Sequence, residues 1–301
     1  MASKNLAFAS MLSPGKEAEY NTLLFVESIR EFAGDFANVP IWCYFPGSDS
    51  QISSKLKERL LALDVQLLPF HIVDTFPFLA NAQAASMAEK RARGEFDILA
   101  WLASNTVFLQ EPSEYRLKDG KMLGYRPVHH ALIGSRYNEP LDEFWTKIYE
   151  YCQVPKERIF PMNPHIEETQ IRPYFNSGSL VSRPEKGLFG NWFESFLEQY
   201  QLPEFREYYK RDGRYAIFIH QSILSGIILS KFTHEEIIEF PPSYNYPVHL
   251  FAEDNTKYRP QRIDQLVTFR HEGFHMDPDW EDRLPAGPEL THWLKEKLSL
   301  V

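Results

Sequence analysis

Residues 97–106 read Asp-Ile-Leu-Ala-Trp-Leu-Ala-Ser-Asn-Thr. The run 97–102 is apolar and closes on small polar residues, as a strand buried on both faces does. Immediately upstream, residues 78–93 are Ala-rich and read as a helix. The same alternation extends back to the start. Residues 5–12 form a short apolar stretch broken by Ser13-Pro14-Gly15. Residues 17–32 carry Leu23, Val26 and Ile29 three apart, the spacing of one helix face. Residues 40–45 are aromatic and β-branched and stop at Pro46-Gly47, Ile52, Leu56, Leu60 and Leu63 recur at helical spacing, and 65–70 reads as another strand. Strand, helix, strand, helix in this order implies parallel strands joined by helical crossovers. The expected fold class is α/β, a mostly parallel central sheet flanked by helices.

The second half is less regular. Residues 121–134 read as a strand with a polar interruption, which would place His129 and His130 on opposite faces of one strand. Leu141, Phe144, Trp145, Ile148, Tyr149 and Cys152 mark an amphipathic helix, and Trp192, Phe193, Phe196, Leu197 and Tyr200 another. An apolar stretch at 223–229 precedes Pro241-Pro242, residues 265–269 are β-prone, and Leu290, Trp293, Leu294 and Leu298 suggest a last amphipathic helix. The expectation is one domain over 1–301, with 276–301 a C-terminal helical extension.

Composition narrows the function classes. The 301 residues carry 32 Lys and Arg against 41 Asp and Glu, a formal charge of −9. Without a basic stripe, nucleic acid is not an expected partner. No run approaches the length of a membrane span, and residues 1–14 are too weakly apolar for a secretory signal. Cys43 and Cys152, the two cysteines, are expected as reduced buried thiols, and the localisation as cytoplasmic.

Four segments then occur in a telling order. The first is 97–106, followed by Tyr174-Phe-Asn-Ser-Gly-Ser-Leu180 and His220-Gln221-Ser-Ile-Leu224; the last is Pro241-Pro-Ser-Tyr-Asn-Tyr246 with His271-Glu-Gly273, Pro278 and Trp280. Over roughly residues 5–280 the chain resembles the GT-A-fold glycosyltransferases that use nucleotide-sugar donors, in particular the retaining group of glycogenin and bacterial galactosyltransferases.

The resemblance implies a Rossmann-like GT-A sheet, and a UDP-hexose-type donor whose sugar passes to a hydroxyl acceptor. It also implies a Mn²⁺ or Mg²⁺ ion, chelated by an Asp-x-Asp turn and bridging the donor diphosphate. Here Ala103 and Asn105 stand at the two Asp positions, with Ser104 between them. Carried over residue by residue, Ser104 and Asn105 would face the diphosphate, and Asn176, Ser177 and Gly178 the donor sugar. Gln221 would sit at the reacting carbon as the catalytic residue. His220 replaces the acid that opens a helix in the family. His271 would join Asn105 on the metal, and Gly273 would lie in the segment that closes over the phosphates. Asp277 stands where that segment has a phosphate-binding Lys, so Lys90, Arg91 and Arg93 are the cations left to compensate. Tyr244 and Tyr246 are the stacking candidates.

Two other classes are compatible with the sequence. One keeps the fold as a nucleotide-sugar-binding protein that has lost its metal site and its turnover. The other is a zinc metallopeptidase, because His271-Glu272-Gly-Phe-His275 matches His-Glu-x-x-His, with Glu296 as a third ligand. That chemistry needs both histidines on one helical face, which Gly273 and Pro278 oppose.

Overall fold

A computed structural model describes residues 6–47, 52–167 and 169–298. The first half alternates as the patterning predicts: β1 (Leu6–Met11), α1 (Lys16–Phe32), β2 (Ile41–Pro46), α2 (Ser54–Ala62), β3 (Val65–Phe70), α3 (Leu79–Ala92) and β4 (Ile98–Leu102). A tight turn leads to β5 (Thr106–Phe108). There follow β6 (Leu123–Pro127), α4 (Glu143–Tyr151), β7 (Phe175–Ser182), α5 (Leu188–Gln199), α6 (Pro203–Arg211), α7 (Gly213–Lys231), β8 (Ile237–Glu239), β9 (Tyr246–Pro247), β10 (Thr268–Arg270), α8 (Trp280–Arg283) and α9 (Pro288–Leu298).

Seven strands form the main sheet in the order β3-β2-β1-β4-β7-β6-β8. The pairs β1–β2, β2–β3, β1–β4 and β6–β8 are parallel; β7 runs antiparallel to both β4 and β6. Strand period sets the two layers. Leu6 and Phe8 of β1 face the core beneath α1 and α2, whereas Ala7 and Ala9 face the layer of α3 and α5. Small Ala82, Ala85 and Ala88 let α3 approach that face closely. Glu89 of α3 is buried and accepts hydrogen bonds from Phe189 N (3.1 Å) and Gly190 N (2.8 Å), capping α5, whose own N-cap Gly187 has no side chain to do so.

A smaller sheet, β5-β10-β9, covers one end. β10 lies antiparallel to β5 and parallel to β9, so a strand from the last quarter of the chain sits beside the turn that ends β4. Leu290 and Leu294 of α9 pack with Tyr20 and Leu24 of α1 in the core under this sheet. Both cysteines are buried free thiols, and burial pushes Cys43 up to about 12. Among the described residues no helix is long and apolar enough to cross a membrane.

Several local expectations change. β6 stops at Pro127, which has no N–H for the ladder, so His129 and His130 lie in the irregular segment beyond it. There His129 Nε2 lies 3.1 Å from Asn245 O, and His130 Nδ1 lies 3.3 Å from Glu167 Oε1. Tyr244 and Tyr246 are buried; the Tyr246 hydroxyl donates to Asp254 at 2.7 Å. They are core residues and offer no stacking face. The pair His220-Gln221 does not open a helix, because α7 begins at Gly213 behind Asp212, whose carboxylate accepts from Arg214 N. The helix is fully buried only from Ile219 onward; in its first turns Tyr215 and Phe218 are partly buried against the core, Tyr215 lying on Phe144 with ring centroids 4.7 Å apart.

Candidate active site

The strand order reverses at β1: β2 and β3 lie on one side and β4 on the other. Open α/β sheets form a crevice outside the carboxyl ends of the strands at such a point. A cavity of about 550 Å³ lies there, walled by Met11 at the end of β1, by Ser13 to Ala18 beyond it and by Trp101 to Asn105 at the end of β4. Ser177 and Gly178 of β7, Phe78 and Asn81 at the start of α3, and Arg270 and Glu272 beside β10 complete the wall.

The turn at the end of β4 is held from two sides. Ala103 N donates to Gly178 O (2.9 Å), and Thr106 N donates back to Ala103 O (3.1 Å). Asn105 exchanges two bonds with the residue after β10: its amide nitrogen donates to His271 O at 2.6 Å, and His271 N donates to Asn105 O at 3.1 Å. Asn105 thereby ties the turn to the small sheet.

Phe175-Asn-Ser-Gly178 is the beginning of β7, a strand rather than a turn, because Phe175 already pairs with Pro127. Asn176 Oδ1 accepts from Gly178 N at 2.9 Å and from Arg270 Nη1 at 3.4 Å. Gln221 Oε1 accepts from Ser177 N at 3.1 Å, which fixes Ser177 against the cavity. Gly178 is needed for closeness: a Cβ there would stand 3.1 Å from both Ala103 Cβ and Arg270 Nη1.

The sequence-predicted residues therefore fall into two groups. Ser104, Asn105, Ser177 and Gly178 line the cavity, while Asn176 and Gln221 sit one layer behind, holding residues that do. His220 is buried under the wall and stacks on Phe78, with ring centroids 4.3 Å apart and planes 11° apart. Burial, and then the Arg270 charge, push its imidazole down to about 3, so it is neutral. His271 is also buried; burial, then His275 and Arg270, lower it to about 3. Its Nδ1 accepts from Gly273 N at 3.3 Å, with Gly273 at φ 76.

The His-Glu-x-x-His stretch is not helical. Gly273 is left-handed and Phe274–Met276 is a single 3₁₀ turn, so His271 and His275 do not share an α-helical face as zinc-peptidase ligands must. A hard divalent cation fares little better. Ala103 offers no ligand, the Asn105 amide nitrogen is engaged, and among the described residues no three His, Cys, Asp or Glu converge to hold a metal. Nor do the expected cations compensate: Arg91 donates to Gln66 Oε1 (2.6 Å), and Arg93 stands 4.0 Å from Glu89, at the end of α3 away from the cavity.

Sequence reasoning missed Phe78, Lys16 and Arg270. Phe78 holds φ 62, a conformation no motif predicts for a bulky side chain, and remains exposed at the rim. Lys16 had a signal in Ser13-Pro14-Gly15, a break between a strand and a helix where α/β folds place ligands. Arg270 stood directly beside the recognised His271. Two helices also begin at this cavity without side-chain caps, α1 behind Gly15 and α3 behind Phe78, and Leu79 N of α3 donates instead to Phe76 O at 3.0 Å.

The sheet order and the cleft at its switch point define a GT-A-type glycosyltransferase fold. The chain belongs to the Rhodobacterales glycosyltransferase domain family, whose model matches residues 11–207. Among solved structures it is similar to the galactosyltransferase LgtC in complex with donor and acceptor sugar analogs, at 12% identity and TM-score 0.53, over 97% of this chain and 94% of that one. It is also similar to the apo bifunctional glycosyltransferase WbbM, at 11% identity and TM-score 0.52, covering 97% of this chain and 51% of that one. No curated protein sequence matches it.

Proposed function

We propose that this chain binds a nucleotide-diphosphosugar, of the UDP-hexose type, and transfers the hexose to a hydroxyl acceptor. The observation that carries the reading is the cleft at the β1/β4 switch point, which has an anion-favouring side and an aromatic side. On the first, the uncapped start of α1 and the cations Lys16 and Arg270 suit a diphosphate. On the second, the Phe78 ring backed by neutral His220 suits the C–H face of a sugar. Asn176 and Gln221 act as positioning residues, holding Gly178 and Ser177 where the sugar would lie. The similarity to LgtC, solved with donor and acceptor sugar analogs, supports a cleft that takes two sugars.

Calorimetry with UDP-glucose and UDP-galactose tests the reading. Saturable binding to the full chain is expected; no binding of any UDP-, GDP-, ADP- or dTDP-hexose would overturn it. Ala103, at a position where the resembled glycogenin and galactosyltransferase group carries an Asp, favours a second reading of binding without turnover. Release of free UDP in the presence of a hydroxyl acceptor excludes that reading.

A further inference from the structure

We infer that Arg270 holds the donor diphosphate in place of a divalent cation, with Lys16 and the start of α1 completing the counter-charge. This rests on the nucleotide-sugar reading and adds what neutralises the phosphates in this chain. The Asp-x-Asp positions give a methyl group and an amide whose nitrogen is already bonded to His271 O. The turn at the end of β4 thus brings no carboxylate to the wall.

Arg270 fills the gap. It comes from β10, and its guanidinium lies against Gly178 at the centre of the wall. Its present bonds are weak: Nη1 to Asn176 Oδ1 at 3.4 Å and Nη2 to Glu272 Oε1 at 3.4 Å, longer than the about 2.7–2.9 Å of a strong charge-assisted pair. Nε is buried with no hydrogen-bond partner. A planar fork with unspent N–H groups matches two phosphate oxygens. The other charged wall residues are Lys16, Glu17 and Glu272. Glu272 is half exposed and holds the guanidinium only through that long contact, so a diphosphate would displace it.

Titration calorimetry of the full chain with UDP, first in EDTA and then with saturating Mn²⁺, tests the inference. UDP is expected to bind in EDTA, with Mn²⁺ changing its affinity by less than about threefold. Arg270→Gln should weaken UDP by about tenfold or more while leaving uridine binding as it was. Arg270→Lys, which keeps the charge and loses the fork, should fall between. Glu272→Gln should tighten UDP, since it removes the competing carboxylate, and this variant remains decisive if Arg270→Gln fails to fold. Three results would overturn the inference: tightening by Mn²⁺ of about tenfold or more, UDP affinity unaltered in Arg270→Gln, or UDP affinity unaltered or weakened in Glu272→Gln. Failure of UDP, GDP, ADP and dTDP to bind the unmutated chain under both conditions is a different pattern, and sinks the nucleotide-sugar reading itself.

Discussion

Phe78 combines three properties that rarely coincide in one residue: a bulky ring, a left-handed backbone and an exposed position over a cavity. An L-residue in that conformation costs about 1–2 kcal/mol, and such strain concentrates at functional sites. Phe78→Gly should therefore be more stable than Phe78→Ala by about 1 kcal/mol in urea denaturation, since only glycine is at ease there. Both should weaken UDP-hexose more than UDP if the ring faces the sugar as proposed; equal losses for the two ligands would place the ring elsewhere. Gly178 makes the opposite point about space. Gly178→Ala forces a methyl against Ala103 and the Arg270 guanidinium, and should cost about 1–3 kcal/mol in the same assay and weaken UDP as well.

The element that organises the cleft is β10, three residues long and paired on both sides. Its end is fastened to the β4–β5 turn by the two bonds between Asn105 and His271. Asn105→Ala should cost about 1 kcal/mol and raise amide exchange across residues 268–272, with β1 and β2 unaffected. The elements that were legible beforehand share a cause. β1, β2 and β4 are buried on both faces and read as apolar runs, and α1 and α5 show a continuous apolar stripe. What stayed hidden depends on contacts distant in sequence. β6 ends at a proline within a longer β-prone run, α7 starts ahead of its fully buried stretch, and α6, bounded by Pro203 and Asp212, packs through Phe205, Tyr208 and Tyr209. At the site, Asn105, Ser177 and Gly178 were legible as motif positions. Lys16 had only the Ser13-Pro14-Gly15 break beside it as a signal, and Phe78 and Arg270 had none, because their importance comes from which strand ends meet.

At the scale of the whole molecule, neutral buried histidines set the acid limit. His220 and His271 are both buried and both pushed down to about 3, by burial first, with the Arg270 charge next for His220 and His275 and then Arg270 next for His271. Unfolded, each titrates near its ordinary value of about 6.5. Between those values the unfolded chain binds protons that the folded chain refuses, so stability rises with pH across that window. The melting temperature should fall steadily as pH drops from about 6.5 to about 4. His220→Gln should flatten the slope; an unchanged slope would show that His220 does not contribute.

The turn that carries Asn105 meets its partner 166 positions later in the chain. A ribosome translating this message would thus extrude the whole parallel half of the sheet, and every residue that the family model matches, before the guanidinium has left the exit tunnel. The nascent trough at that stage is electrically incomplete. On the proposed reading, nucleotide would grip the protein only as β10 docks, acting as a latch on a sheet whose parallel strands are already made rather than as a seed for it.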